Sequence, residues 1–228
     1  DRNPTYRVEL YPSEGEPKDR AEGFLADAGK RLPLSDRLIT EVIVESQPMW
    51  LSFLAGKLDR SGVPKDNFSQ AIGADGNISQ ELKEKGIRLQ KIVKLGVTHD
   101  SFNMSDPLFA KNKQLRQAIS LAINEAPLIE HFYNGQAIAA QGPIPPGLAG
   151  YDPNFVNPYR KYNLAKAKEL LAQAGYPGGR GLPVLEYQTR SSSTSRQRTE
   201  YLTKSLAELG IQVRVNATTW PEFQANVK

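Results

Sequence analysis

The stretch from Gln188 to Arg198, QTRSSSTSRQR, carries the densest set of groups able to hold a charged partner. It follows a segment that reads as a strand, Pro183–Thr189, and opens one with helical spacing, Ser193–Leu209. The unpaired amides of a helix start carry partial positive charge. Serine hydroxyls and the guanidinium groups of Arg190, Arg196 and Arg198 add donors, so the stretch suits capture of a carboxylate or another anion. The same residues read equally as a serine-rich capping loop with solvated arginines. Trp50 and Trp220 offer ring faces to a ligand, although Trp50 falls on an apolar helix face and reads as core.

Signals for bond-making chemistry are poor. His99 and His131 are the only histidines, 32 residues apart and outside any HExxH or CxxC frame, which leaves metal binding and acid–base work without a constellation. No G-x-S-x-G elbow marks a serine hydrolase. The glycines of Gly175–Gly181 (GYPGGRG) follow a helix, whereas a phosphate loop needs strand, glycines and then helix; a helix C-cap and a mobile loop are expected. Asp75-Gly76-Asn77 lacks the ligand series of a calcium loop and reads as a turn. Asn67, Asn77, Asn103 and Asn216 stand in N-x-[ST] patterns, which bear on secreted eukaryotic proteins only.

The elements that must position these groups come from apolar spacing and from caps. Leu115, Ala118, Ile119, Ala122 and Ile123 form one helix face, with Asn112 as its N-cap. Asn124–Pro127 should interrupt that run, and Leu128, Ile129, Phe132 and Tyr133 should begin a second short helix stopped by Asn134-Gly135. Gly142–Gly147 (GPIPPG) predicts a stiff extended crossover. Asn163 predicts a capped helix over 164–174, with Leu164, Ala167, Leu170, Leu171 and Ala174 inward and Gly175 behind it. Earlier, Leu38–Val44 reads as a buried strand. A helix starts at Gln47-Pro48 and ends at Gly56, with Met49, Trp50, Phe53 and Leu54 on one face. A helical turn falls at Phe68–Ile72, and Asn77 should cap a helix over 78–85. Ile87–Lys94 and Val97–Met104 read as further strands, Ile211–Val215 as the last, and Thr219-Trp220-Pro221-Glu222 as a helix start. Strands separated by helices argue for an α/β layered lobe. Residues 1–37, rich in proline, glycine and charge around one apolar patch at Phe24-Leu25-Ala26, predict mostly loop.

Composition narrows the classes. The 228 residues are 39% hydrophobic and 24% charged, enough for a sizeable core. A net charge of +4 from 29 basic and 25 acidic residues, without long like-charge runs, describes a mixed solvated surface and gives little support to a nucleic-acid partner. The chain has no cysteine, which excludes disulfides, thiolate metal sites and cysteine nucleophiles. No apolar run approaches the roughly 18 residues of a membrane span. The chain starts without Met and stops inside its last helix pattern, so it is expected to be a piece of a longer protein.

The order of the local motifs resembles the oligopeptide- and dipeptide-binding family, the extracytoplasmic solute-binding proteins of peptide and nickel ABC importers. Asn3-Pro4-Thr5-Tyr6 is similar to the family's crossing into its second lobe, although Arg7 stands where Trp is usual and residues 11–35 look inserted. Phe53–Asp59 resembles its helix ending in GxxD, Phe102-Asn103-Met104 its strand ending in FN, and Leu115-Arg116-Gln117-Ala118 its VRxA helix start. The GPIPPG crossover and Ala165–Leu171 with Ala174-Gly175-Tyr176 complete the series. The resemblance implies a lobe of the type II periplasmic-binding-protein fold, α/β with a mixed sheet and flanking helices, from a two-lobe protein. Residues 1–37 would be an inter-lobe or inserted segment and residues 38–228 most of lobe II. The implied function is non-catalytic capture of a peptide or similar small solute, without a cofactor or metal. The implied partners are the membrane permease subunits and the other lobe, and the implied place is periplasmic or extracytoplasmic, with a lipid anchor possible in the family. Candidate contacts are Phe102, Asn103 and Met104 at the strand end, and Thr189, Arg190, Ser191, Ser192 and Ser193 in the polar loop. Nickel, haem and oligosaccharide are alternative solutes; an α/β hydrolase or transferase is the rival class. A segment beyond Trp220 and Phe223 contributes to the family's cleft, so the piece alone is expected to bind peptide weakly or not at all.

Overall fold

The computed structural model describes residues 3–227. They fall into two units, Asp1–Ile43 and Val44–Lys228. In the first, the expected loop character holds around one short helix, α1 (Pro17–Ala21), whose Asp19 carboxylate accepts from the Glu16 amide at 2.8 Å. Backbone bonds from Tyr11 to Lys30 (2.8 Å) and from Leu32 to Glu9 (2.9 Å) close the segment antiparallel about Leu10 and Arg31.

The second unit has two apolar cores. The smaller gathers Trp50 from α2 (Ser46–Leu54), Ala71 from α3 (Phe68–Ala71) with Ile72 after it, and Leu82 from α4 (Gln80–Glu84). Trp50 and Phe53 stack at 5.5 Å, so Trp50 is the core residue its helix position predicted. Helix α4 starts later than expected: Ser79 is its N-cap, and Asn77 is held in a turn by the Asp75 carboxylate, which accepts from the Asn77 amide (3.0 Å) and side chain (2.8 Å).

The larger core is built by α6 (Lys113–Ala122), α8 (Leu164–Gln173), α9 (Ser193–Ala207) and the strands β1 (Leu185–Arg190) and β2 (Val213–Thr218). Leu115, Leu171 and Leu209 are its fully buried large side chains, each stabilising by about 1.5–3 kcal/mol relative to exposure. Two asparagines fix how α6 and α8 meet. Asn112 Oδ1 accepts from the Leu115 amide at 3.0 Å, starting α6, while its Nδ2 donates to the Ala174 carbonyl at the end of α8, 2.9 Å away. At the other end, Asn163 Oδ1 accepts from the Lys166 amide at 2.9 Å, starting α8, while the Asn163 amide donates to Leu121 O of α6 at 2.9 Å. Each helix start thus supplies a donor to the other helix's unpaired carbonyls, and the two lie antiparallel.

Helix α7 (Glu125–Tyr133) begins three residues before the expected Leu128. Asn124 caps it through the Ala126 amide (3.2 Å), and Pro127 sits in the first turn, where its missing donor costs no bond. Asn134 ends it in the left-handed region, φ 49°, as the Asn-Gly pair predicted. Short α5 (Pro107–Lys111) precedes α6, and α10 (Trp220–Asn226) closes the described chain with a Thr219–Glu222 capping box. Residues 142–147 form neither helix nor strand.

Strands β1 and β2 are joined by α9 and pair in parallel, from Leu185 opposite Val213 to Arg190 opposite Thr218. Three expected strands do not form. Leu38–Val44, Ile87–Lys94 and Val97–Met104 are without strand pairing among the described residues, and Leu38 (86% exposed) and Val42 (91%) are far from buried. Apolar β-branched composition supplies extended backbone, but a strand also needs a hydrogen-bonded neighbour. Ile87 and Leu89 do pack on the smaller core, so the alternation in that stretch is honoured for its first half only. The glycine loop after α8 begins with the expected helix stop, Ala174 with Gly175 behind it at positive φ, and its next glycines are closely packed. Gly178–Gly179 lies against Gly210, and a Cβ at Gly179 or Gly210 would collide with the facing backbone.

Candidate functional site

The polar loop sits at the carboxyl end of β1, where the chain turns into α9. Ser192 is the N-cap, its Oγ accepting from the Ser195 amide at 3.2 Å. Ser191 donates its amide to Thr218 O (2.8 Å), which extends the β1–β2 pairing by one bond. Thr189 lies opposite Ala217, and Arg190 reaches across to Trp220, its guanidinium carbon 5.2 Å from the ring centroid. Trp220 in turn stacks on Phe223 at 5.7 Å and remains half exposed.

Ser193 shows what this helix start can hold. Its amide donates to Glu45 Oε1 at 3.1 Å, and its hydroxyl donates to Glu45 Oε2 at 2.6 Å. The end of α9 therefore carries a carboxylate, contributed from the residue preceding α2. The Ser193 hydroxyl first, then the Ser193 amide, holds the Glu45 carboxyl below its ordinary value, and the charge of Arg196 adds to the effect.

A second charged group locks the base of the site. Asp100 Oδ2 accepts from Arg198 Nη2 at 2.7 Å, and Asp100 Oδ1 accepts from the Tyr187 hydroxyl at 2.7 Å. Burial, then the negative charge of Asp100, pushes the Tyr187 phenol upward. For Arg198, burial is the largest single influence and works against the charge, but Asp100, Tyr187 and Tyr133 together outweigh it and the guanidinium is held more firmly protonated. Arg198 is thus committed within the protein, and Arg196 is the helix-start arginine left facing Glu45.

The other expected contacts divide. Phe102 packs against the larger core and meets Phe109 at 5.2 Å, so its ring is structural. Asn103 is exposed, with its Oδ1 accepting from the Ser105 amide at 2.9 Å, and Met104 is half exposed. Residues 102–104 and the polar loop are linked through Asp100, two residues before Phe102, which binds Tyr187 and Arg198 on either side of the loop. Glu45 and Asp100 carry no local motif. Their partners lie 148 and 87–98 residues away in sequence, beyond the reach of spacing rules.

His99 borders a cleft of about 350 Å³ with Gln141, Asn157 and Arg160; its Nδ1 lies 3.4 Å from Val97 O. Arg160 pairs with Glu125 and donates to Ala140 O, which joins the crossover to α7. A second recess of about 300 Å³ lies among Asn124, Tyr162, Tyr201, Lys204 and Glu208. Neither recess includes the expected contact residues. Among the described residues no group of His, Cys, Asp and Glu could hold a metal ion, and no helix is long and apolar enough to cross a membrane.

Known proteins place this architecture. Heme-binding protein A of Haemophilus influenzae is 28% identical over 200 residues, covering 87% of this chain and 34% of its own length. The glutathione-binding protein GsiB of Pectobacterium atrosepticum is 31% identical over 161 residues, 71% of this chain and 29% of that protein. The periplasmic binding protein DppA of Helicobacter pylori, solved with the peptide STSA, is 29% identical with a TM-score of 0.59, covering 80% of this chain and 33% of that one. The oligopeptide-binding protein AppA of Bacillus subtilis, at 21% identity and a TM-score of 0.64, shares the fold. The chain spans about a third of the length of these relatives. It is α/β and of the type II periplasmic-binding-protein kind. The model of the bacterial extracellular solute-binding proteins, family 5 Middle, matches residues 1–228, and the chain belongs to that family.

Proposed function

We propose that this chain is part of a periplasmic binding protein that captures a peptide, or a similar small solute with a free carboxylate, for an ABC importer. The observation that carries the reading is the carboxylate already seated on α9: Glu45 takes the Ser193 amide and hydroxyl beside Arg196, the arrangement that a peptide's terminal carboxylate would need. Thr189, Arg190, Ser191, Ser192 and Ser193 form the anion-facing rim, and Asn103 and Met104, held near the loop by Asp100, offer polar and apolar contact beside it; Phe102 supports them from the core. Capture is non-covalent, and two lobes closing on the solute would bury it. Residues 38–228 would supply most of the second of these lobes, and residues 1–37 a connecting or inserted segment. The other lobe and the membrane permease subunits are the partners this function requires. Relatives are named for haem and for glutathione, so cargo class belongs to the test.

Native mass spectrometry of the protein taken from its own host identifies what it carries. A co-purifying peptide supports the reading, and a bound neutral sugar overturns it. In parallel, calorimetry with short peptides bearing free or amidated C-termini should show binding that needs the free carboxylate. Equal affinity for the two forms removes α9 from the site.

A further inference from the structure

We infer that Glu45 is a built-in competitor for the anion-binding end of α9, so that a carboxylate-bearing solute gains the site only by displacing it. The inference rests on the reading of α9 given above and assigns a specificity role to a residue on a different core. Glu45 precedes α2, whose Trp50 belongs to the smaller core, whereas Ser193 begins α9 of the larger one. The contact is therefore a tether across the two cores of the Val44–Lys228 unit, made by one side chain.

Three observations make Glu45 a removable occupant and not a fixed cap. Ser192, not Glu45, is the N-cap of α9, so the helix keeps its own terminator when Glu45 leaves. All three bonds that Glu45 accepts here are donated by Ser193, the first residue of the helix, and all are solvent-exposed. Arg196, whose charge acts on Glu45, is exposed as well and can follow an incoming anion, whereas Arg198 is bound by Asp100 and cannot. An anionic ligand meets the same donors that Glu45 uses, so the two exclude each other and the internal carboxylate weakens every anion's apparent affinity. A neutral or cationic solute suffers no such penalty. The effect selects among solutes as well as lowering affinity.

Acetate is the probe, added to the isotopically labelled chain, with the Ser193 and Thr194 amides as the readout. Glu45→Gln keeps size and polarity and removes the charge; Glu45→Ala removes the group. Both should bind acetate about two- to fivefold more tightly than the unaltered chain, the range expected for one charge at a helix start. Unchanged amide spectra from the larger core show that each variant is folded. Glu45 is half-buried and outside the cores, and Glu45→Asp, which keeps the charge but is one carbon shorter, gives a third variant whose acetate affinity should fall between those of the unaltered chain and Glu45→Ala. Equal acetate affinity in all forms overturns the competitor while leaving the anion site standing. No perturbation at Ser193 in any form overturns both.

Discussion

Arg198 Nη2 lies 2.7 Å from Asp100 Oδ2 across 98 residues of sequence, and Tyr187 closes on the other oxygen of the same carboxylate. One acidic side chain in a segment without strand pairing thereby ties residues 97–104 to β1 and α9. Asp100→Ala should cost about 1–2 kcal/mol, since it leaves a half-buried guanidinium and a phenol without their partner. Tyr187→Phe should cost about 0.5–1 kcal/mol, the net value of a single bond. Urea unfolding of the two variants measures the difference, and an equal cost would mean that Arg198 gains nothing from Asp100.

The same pairing predicts an alkaline limb. The Tyr187 phenol is pushed above its ordinary value of 10.0, by burial first and then by Asp100. A group whose folded value is raised stabilises the fold below its unfolded value, and that contribution is lost as the pH rises through the folded one. Stability should therefore fall as the pH climbs past about 10, and Tyr187→Phe should flatten that fall. Chemical denaturation at a series of alkaline pH values reads it.

At the acid end the sign reverses. The Glu45 carboxyl is held below its ordinary value of 4.5 by Ser193, so its contribution is present above that value and is lost as pH falls through the lower, folded one. The Ser193 amide should titrate with a midpoint below 4.5, and Glu45→Gln should abolish the transition. A midpoint at or above the ordinary value would show that the contact is not made in solution.

Burial separates two classes of apolar residue that look alike in sequence. Leu171→Ala, at a fully buried position of α8 in the larger core, should cost about 2–5 kcal/mol. Val42→Ala, at 91% exposure, should stay within about 0.5 kcal/mol. Thermal or urea midpoints decide it, and a large effect at Val42 would restore the buried strand expected there.

Gly179→Ala and Gly210→Ala should each destabilise by about 3 kcal/mol or more, because both need positive φ and an added methyl collides with backbone on the facing side. Alanine at Gly62, where nothing stands in the way, is the comparison, and its effect should be far smaller.

What the sequence revealed follows the range of the forces involved. The caps at Asn112 and Asn163, the stops at Asn134 and Gly175, and the faces of α6, α8 and α9 are set within a few residues, and each was legible. The donors at the start of α9 were legible for the same reason. Leu38–Val44, Ile87–Lys94 and Val97–Met104 were misread because composition reports a tendency to extend and says nothing of a neighbouring strand. Glu45 and Asp100 carry no signal in sequence because their partners are distant in the chain.

The reciprocal asparagines at the ends of α6 and α8 have a mechanical effect. With one cross-link at each end of an antiparallel pair, neither helix can slide by a turn without giving up a bond at both extremities. The pair behaves as a riveted beam. Asn112→Asp, which keeps the acceptor for Leu115 and loses the donor to Ala174, removes one rivet only. Flexing of the Val44–Lys228 unit is then left to the thinly bonded stretches around it, and the polar loop beyond β1 is mounted on a frame that holds its shape.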